Sequence, residues 1–149
     1  MDDASNKTAE MSGLDYLRQR IMNWHGPGMA DTMNMRLTEV TDGSATFEAF
    51  PEPKFYNPQM RLHGGYAATL LDSALGCAVQ TKLPANIGYG TIELKVNYVR
   101  KVDASNGRLV CTANVIHAGR TMLTAEAKVI DQHGKLCAHG SGTFLVYPT

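Results

Sequence analysis

The sequence predicts an α+β architecture in which an antiparallel β-sheet wraps around a central buried helix. Three observations carry that expectation. Between Gly64 and Gln80 the only charged residue is Asp72, among small and apolar neighbours, so this stretch reads as a helix that is apolar on nearly all sides and must be covered. Period-two alternation of apolar and polar residues marks two strands before it and four after it. An antiparallel sheet curled over the helix buries it with the elements available.

Taken in order, residues 1–10 read as a loose, polar and acidic N-terminal tail, and residues 11–149 as a single domain. A short helix follows the tail. Ser12 and Asp15 form a capping pair, Leu14, Leu17, Ile21 and Trp24 make an apolar stripe, and Gly26-Pro27 stops it. Met33, Met35 and Leu37 alternate with Asn34, Arg36 and Thr38 as a first strand, and Asp42-Gly43 turns into a second carrying Ala45, Phe47 and Ala49. Residues 51–62, with three prolines, read as a loop, and residues 64–82 as the central helix, closed by Leu83-Pro84. Ile92, Leu94, Val96 and Tyr98 then alternate as a strand, and Asn106-Gly107 signals a hairpin into residues 108–117. Ala118-Gly119 turns into residues 121–131, and His133-Gly134 into residues 135–147. A single sheet wrapped on one helix leaves strand edges open, so a homodimer or a homotetramer built as a dimer of dimers is expected.

Composition narrows the function. Formal net charge is zero, which favours neither nucleic acid nor an anionic membrane as partner. Cys77, Cys111 and Cys137 are widely spaced and form no CxxC or Cys/His ligand pattern, so neither a disulfide framework nor a metal site is expected. The N-terminus lacks the apolar core of a secretory signal, and no apolar run approaches the ~18 residues that span a bilayer. Together these point to the cytoplasm, with no membrane attachment.

Chemistry concentrates between Asn57 and Asp72. His63-Gly64-Gly65 sits where a loop enters the helix, and its backbone N–H groups stand at the positive end of the helix dipole, a place suited to a carbonyl oxygen gaining negative charge. Asp72 lies seven residues beyond Gly65, about two turns along. A carboxylate on a buried helix is costly unless it is paired or faces a cavity, and desolvation would tend to raise its pKa toward that of a general base. An ordinary helix entry and a capping or bridging aspartate fit the same residues.

Asn57, His63-Gly64-Gly65 and Asp72, with Val96-Asn97-Tyr98 ending a strand and Gly119-Arg120-Thr121 later, resemble the PaaI-type (phenylacetic-acid-degradation-related) hotdog-fold acyl-CoA thioesterases over roughly residues 30–147. The resemblance implies a hotdog domain that hydrolyses acyl- or aryl-CoA thioesters to free acid and coenzyme A, with coenzyme A entering only as part of the substrate and no other cofactor. It implies roles residue by residue. Asn57 matches the loop amide that holds the thioester or the attacking water, and Gly64 the glycine whose N–H polarises the thioester carbonyl. His63 matches the histidine that orients the loop, and Asp72 the carboxylate acting as base or nucleophile. Thr91, counted back from Tyr98, matches a hydroxyl that assists the water. In such dimers the carboxylate comes from the subunit opposite Gly64. Relatives commonly carry glycine three residues before the histidine, where this chain has Met60, which bears on the loop and the acyl pocket.

Gly65 belongs with the ligand-contacting backbone. Arg120 and Thr121 can bind coenzyme A phosphates, with Arg61 and the pair Arg100-Lys101 as weaker candidates of the same kind; a solvated turn accounts for Arg120 and Thr121 equally well. The rival from another class is a non-catalytic acyl-CoA-binding hotdog protein, a ligand sensor or regulator, which has no need of a carboxylate at position 72. A hotdog dehydratase would need an acid/base pair of different spacing, and none is present. The sequence leaves the acyl group open.

Overall fold

The computed structural model describes residues 10–23 and 28–149. Trp24 and the Gly26-Pro27 stop, like residues 1–9 of the expected tail, lie outside the described residues. Helix α1 (Gly13–Met22) starts as expected, the Ser12 side chain accepting from the Asp15 N–H, and its Leu17 is buried. A short helix α2 (Met29–Thr32) follows.

Strands β1 (Met35–Thr41) and β2 (Ser44–Ala49) form the expected hairpin. Met33 is not part of β1: it closes α2, and Asn34 beside it has a left-handed φ of 52°, which breaks the extended run. The Asp42-Gly43 turn is anchored to the far end of the central helix. Gly43 N–H donates to Thr81 Oγ1 (2.8 Å), and Lys82 Nζ lies 2.9 Å from Asp42 Oδ1.

Helix α3 (Gly64–Gln80) is the central helix and ends two residues short of the expected bound. Tyr66, Leu70, Leu71, Ala74, Leu75, Ala78 and Val79 recur at helical spacing and are buried, while Ala68, Thr69, Asp72 and Ser73 form a partly exposed stripe. Burying each large apolar side chain is worth roughly 1.5–3 kcal/mol, so α3 is held by its packing rather than by helix propensity.

Strands β3 (Ile87–Tyr98), β4 (Leu109–Ala118), β5 (Met122–Ile130) and β6 (Leu136–Pro148) complete a six-stranded sheet in the order β1-β2-β4-β5-β6-β3. Every pairing is antiparallel. The sheet wraps α3, which is the hotdog fold, and one core cluster joins α1, α3 and the strands. Both β1 and β3 are edges.

Two sequence expectations change here. Asn106-Gly107 does not join β3 to β4 as a hairpin, because β3 pairs with β6 while β4 lies between β2 and β5. Instead Asn106 ends a short 3-10 turn capped by Asp103, and its side chain donates to Asp131 Oδ2 (2.9 Å). The alternation of Ile92, Leu94, Val96 and Tyr98 is also interrupted. A β-bulge between Thr91 and Glu93 makes Ile92 an extra residue, and it is 57% exposed. Tyr89 and Thr91 pair with Val146 and Phe144 on the helix-facing side; beyond the bulge, Leu94, Val96 and Tyr98 pair with Gly142, Gly140 and Ala138 on the same side. Among the described residues no helix is long and apolar enough to cross a membrane.

Candidate active site

The loop before α3 is built by its own backbone. Asn57 N–H donates to Arg61 O (2.8 Å), Met60 N–H to Asn57 O (2.9 Å), and a Tyr56–Leu62 bridge closes the segment. The Asn57 side-chain oxygen accepts from Gln59 N–H (3.0 Å) and Arg61 N–H (3.3 Å), and Asn57 lines the cleft. The tight turn requires a left-handed residue at position 60, and Met60 adopts φ 59° there. The loop expected of a glycine is thus made by methionine. Its side chain is 69% exposed and is not among the residues lining the cleft of the single chain.

His63 is the N-cap of α3. Its backbone N–H donates to Phe55 O (2.9 Å), and its ring Nδ1 accepts from Gly65 N–H (2.8 Å), which requires the ring proton to sit on Nε2. Tyr66 N–H donates to His63 O (2.9 Å). Of the first three donors of the helix, therefore, Gly65 and Tyr66 are engaged. Gly64 lines the cleft and its N–H has no acceptor among the described residues, so the donor available to a ligand is that of Gly64 rather than Gly65.

That cleft, of about 330 Å³, brings Asn57, Arg61, His63 and Gly64 together with Tyr98, Arg100 and Lys101. The site acquires there a residue to which sequence reasoning gave no role: Tyr98, whose hydroxyl donates to Gly64 O (2.7 Å). The bulge concealed it, since alternation alone does not place Tyr98 and Thr91 on one face. Arg100 and Lys101 join the cleft because the chain turns at the end of β3. Arg120 and Thr121 stand elsewhere, in a second cleft of about 690 Å³ that includes Lys82, beyond the C-terminal end of α3.

Asp72 is partly buried, and its Oδ1 accepts from the Thr91 hydroxyl (2.9 Å). The bond holds the carboxylate in place and leaves Oδ2 without a described partner. Nearby, burial and secondarily the Asp72 charge push the Cys77 thiol up to about 12, so it is no nucleophile near neutrality. Burial likewise pushes the Tyr89 phenol up, with the Cys77 and Asp72 charges adding to it. Asp72 lies eight residues from Gly64, about 12 Å along the axis at about 1.5 Å per residue. Among the described residues no group of three or more His, Cys, Asp or Glu side chains is placed to hold a metal.

A helix wrapped by an antiparallel sheet, opening on an unengaged backbone donor with a carboxylate two turns on, defines a hotdog protein with a hydrolase-like site. A family description, Thioesterase superfamily, matches residues 61–138, and the chain belongs to that family. It is 30% identical to a Halobacterium salinarum protein named as an esterase, over 80% of this chain and 85% of that one. It is 27% identical to the 1,4-dihydroxy-2-naphthoyl-CoA hydrolase of Listeria monocytogenes, over 73% of this chain and 87% of that one. The structure of the E. coli PaaI protein from the phenylacetic acid degradation operon superposes with a TM-score of 0.78 at 19% identity, covering 91% of this chain and 94% of that one, a likeness of fold.

Proposed function

We propose that the protein hydrolyses acyl-CoA thioesters to free acid and coenzyme A. The observation that carries this reading is the N–H of Gly64 at the helix start, which has no acceptor among the described residues, on the same helix as a carboxylate anchored by Thr91. The Gly64 donor stabilises the negative charge that develops on the thioester oxygen, worth roughly 2.7–4 kcal/mol for one such donor. Asp72 either draws a proton from a water that attacks the thioester carbon, or attacks that carbon itself to give an anhydride that water then cleaves. In both routes the carbon–sulfur bond breaks and coenzyme A leaves as a thiolate that takes up a proton, with Thr91 orienting the carboxylate. The Asn57 amide holds the thioester or the water, and His63 fixes the loop. Carboxylate, hydroxyl and backbone donor all come from the chain, and coenzyme A enters as part of the substrate.

A carbonyl group cannot contact a donor and a carboxylate about 12 Å apart on one helix. Two copies resolve the distance. Tyr98 touches Gly64, Thr91 holds Asp72, and β3 has a free edge. Antiparallel pairing of two β3 edges about a point between Leu94 and Lys95 sets Asp72 of one copy beside Gly64 of the other. The working unit is thus a dimer, or a tetramer made of two. In that arrangement the Arg120-Thr121 cleft of one copy also approaches the Arg61 side of the other, and these residues grip the nucleotide phosphates. All three cysteines are free thiols, in keeping with a cytoplasmic protein.

The test is a panel of short, medium and aryl acyl-CoAs assayed for thiol release, aryl groups included because one relative is named for such a substrate. Asp72→Asn keeps the size and hydrogen-bonding capacity of the side chain but not its basicity. It should lower kcat by about 10²–10⁴ and spare binding. Turnover at the wild-type rate would rule out the mechanism. Tight acyl-CoA binding without turnover by either protein would make the chain a ligand sensor.

A further inference from the structure

Resting on the thioesterase reading, we infer that Tyr98 is a positioning residue that clamps the Gly64–Gly65 peptide and thereby aims the unengaged N–H of Gly64. The carbonyl of Gly64 and the N–H of Gly65 belong to the same planar peptide group. The Tyr98 hydroxyl donates to that carbonyl at 2.7 Å, and the N–H at the other end donates to His63 Nδ1 at 2.8 Å. One plane is therefore gripped at both ends by side chains from different elements. The preceding plane, which carries the Gly64 N–H, is held at its carbonyl by Tyr66 N–H (2.9 Å). Only the two torsions of Gly64 join these planes. Glycine has no Cβ to restrict them, so the restraint must come from outside the residue.

The same contact makes position 64 tight. A Cβ there would stand 3.2 Å from the Tyr98 Cζ and hydroxyl oxygen and 3.4 Å from Cε1, so the ring would have to give by a few tenths of an ångström. Ordinary core packing does not account for Tyr98, which is 57% exposed. Its ring instead borders the cleft, with the hydroxyl turned toward the helix backbone. Donor geometry is the quantity at stake, because a backbone donor stabilises an oxyanion only when it is already aimed at the place where charge appears.

Tyr98→Phe removes the hydroxyl and keeps the ring. For the full-length protein with the best acyl-CoA of the panel, kcat should fall about tenfold with KM changed less than about twofold. The melting temperature should fall by no more than a few degrees. A second readout needs no substrate: by amide hydrogen exchange, Gly65 should exchange at least about tenfold faster in Tyr98→Phe, while Leu75 in the middle of α3 stays protected. Unchanged kcat overturns the inference, whatever the exchange shows. So does a rise in KM at constant kcat, which would make Tyr98 a substrate contact, and so does loss of protection along the whole of α3, which would make it a general structural residue. If the wild type turns over no acyl-CoA yet Gly65 exchange still rises, the clamp stands and the thioesterase reading falls. If the wild type is active and Gly65 exchange is unmoved, the clamp falls and the thioesterase reading stands.

Discussion

Met60 shows how a single residue can keep a conformation that its side chain resists. A left-handed φ costs a non-glycine residue about 1–2 kcal/mol, and here the cost is met by a loop whose hydrogen bonds fix the turn. Glycine would remove the strain but lose more backbone freedom on folding, an offset of about 0.5–1 kcal/mol. Met60→Gly should therefore raise the melting temperature by only about 1–2 °C and leave turnover unaltered, since the side chain lies outside the cleft. Differential scanning calorimetry with a thiol-release assay checks both. A loss of activity would show that the exposed thioether contacts substrate. Gly64 and Asp72 stood out as candidates because a loop-to-helix junction and a lone charge on an apolar helix are local signals, whereas the roles of Asn57 and His63 came only with the family resemblance. Which of the two glycine N–H groups stays free was not legible, because that depends on where the His63 ring settles.

Among elements, the connections of β3 and β5 carry the clearest departure from local reading. Asn-Gly is a hairpin signal, yet Asn106 bonds Asp131 across two loops and β3 leaves for the sheet edge. Turn chemistry acts within a few residues, whereas strand order is decided by which apolar faces must cover α3. The helix, the 42–43 hairpin and the last three strands were read correctly because their patterns and pairings are local. Asp131 accepts from Asn106 Nδ2, His133 N–H and Lys135 N–H, each at 2.9 Å. The Asn106 bond foremost, then the Lys135 and His133 backbone bonds, hold its carboxyl below the usual carboxylate range. A depressed folded value means that the stabilisation is complete above the ordinary carboxylate range and lost as pH falls through the folded one. Asp131→Asn, which sets an amide against the Asn106 amide, should lower the melting temperature at pH 7. The gap from wild type should close in strongly acidic buffer. A gap that is constant with pH would mean that charge has no part in it.

At the scale of the whole molecule, the two halves of the proposed site lie too far apart to serve one carbonyl within a single chain. Complementation tests this. Asp72→Asn removes the carboxylate, and Gly64→Pro removes the backbone N–H at the first helical position, where proline suits the helix, so each disables a different half and each alone should be nearly inactive. After the two are mixed and allowed to exchange subunits freely, half of the dimers are mixed, and each of those has one intact composite site. Activity should then return to about a quarter of the wild-type level per dimer. No recovery, with subunit exchange verified by mass spectrometry of differently tagged chains, would mean that each chain works alone. The bulge at Ile92 gives the same architecture a rule about chain length. Thr91 and Tyr98 are seven positions apart, an odd count that a regular strand would send to opposite sides, and the extra residue restores the phase. A deletion of one residue between them would leave the strand's composition nearly unchanged while turning either the anchor of Asp72 or the clamp on Gly64 outward. Descendants of this chain can therefore vary in the letters between 91 and 98 so long as positions 94 and 96 stay apolar for the core, but they cannot inherit a one-residue change in their number.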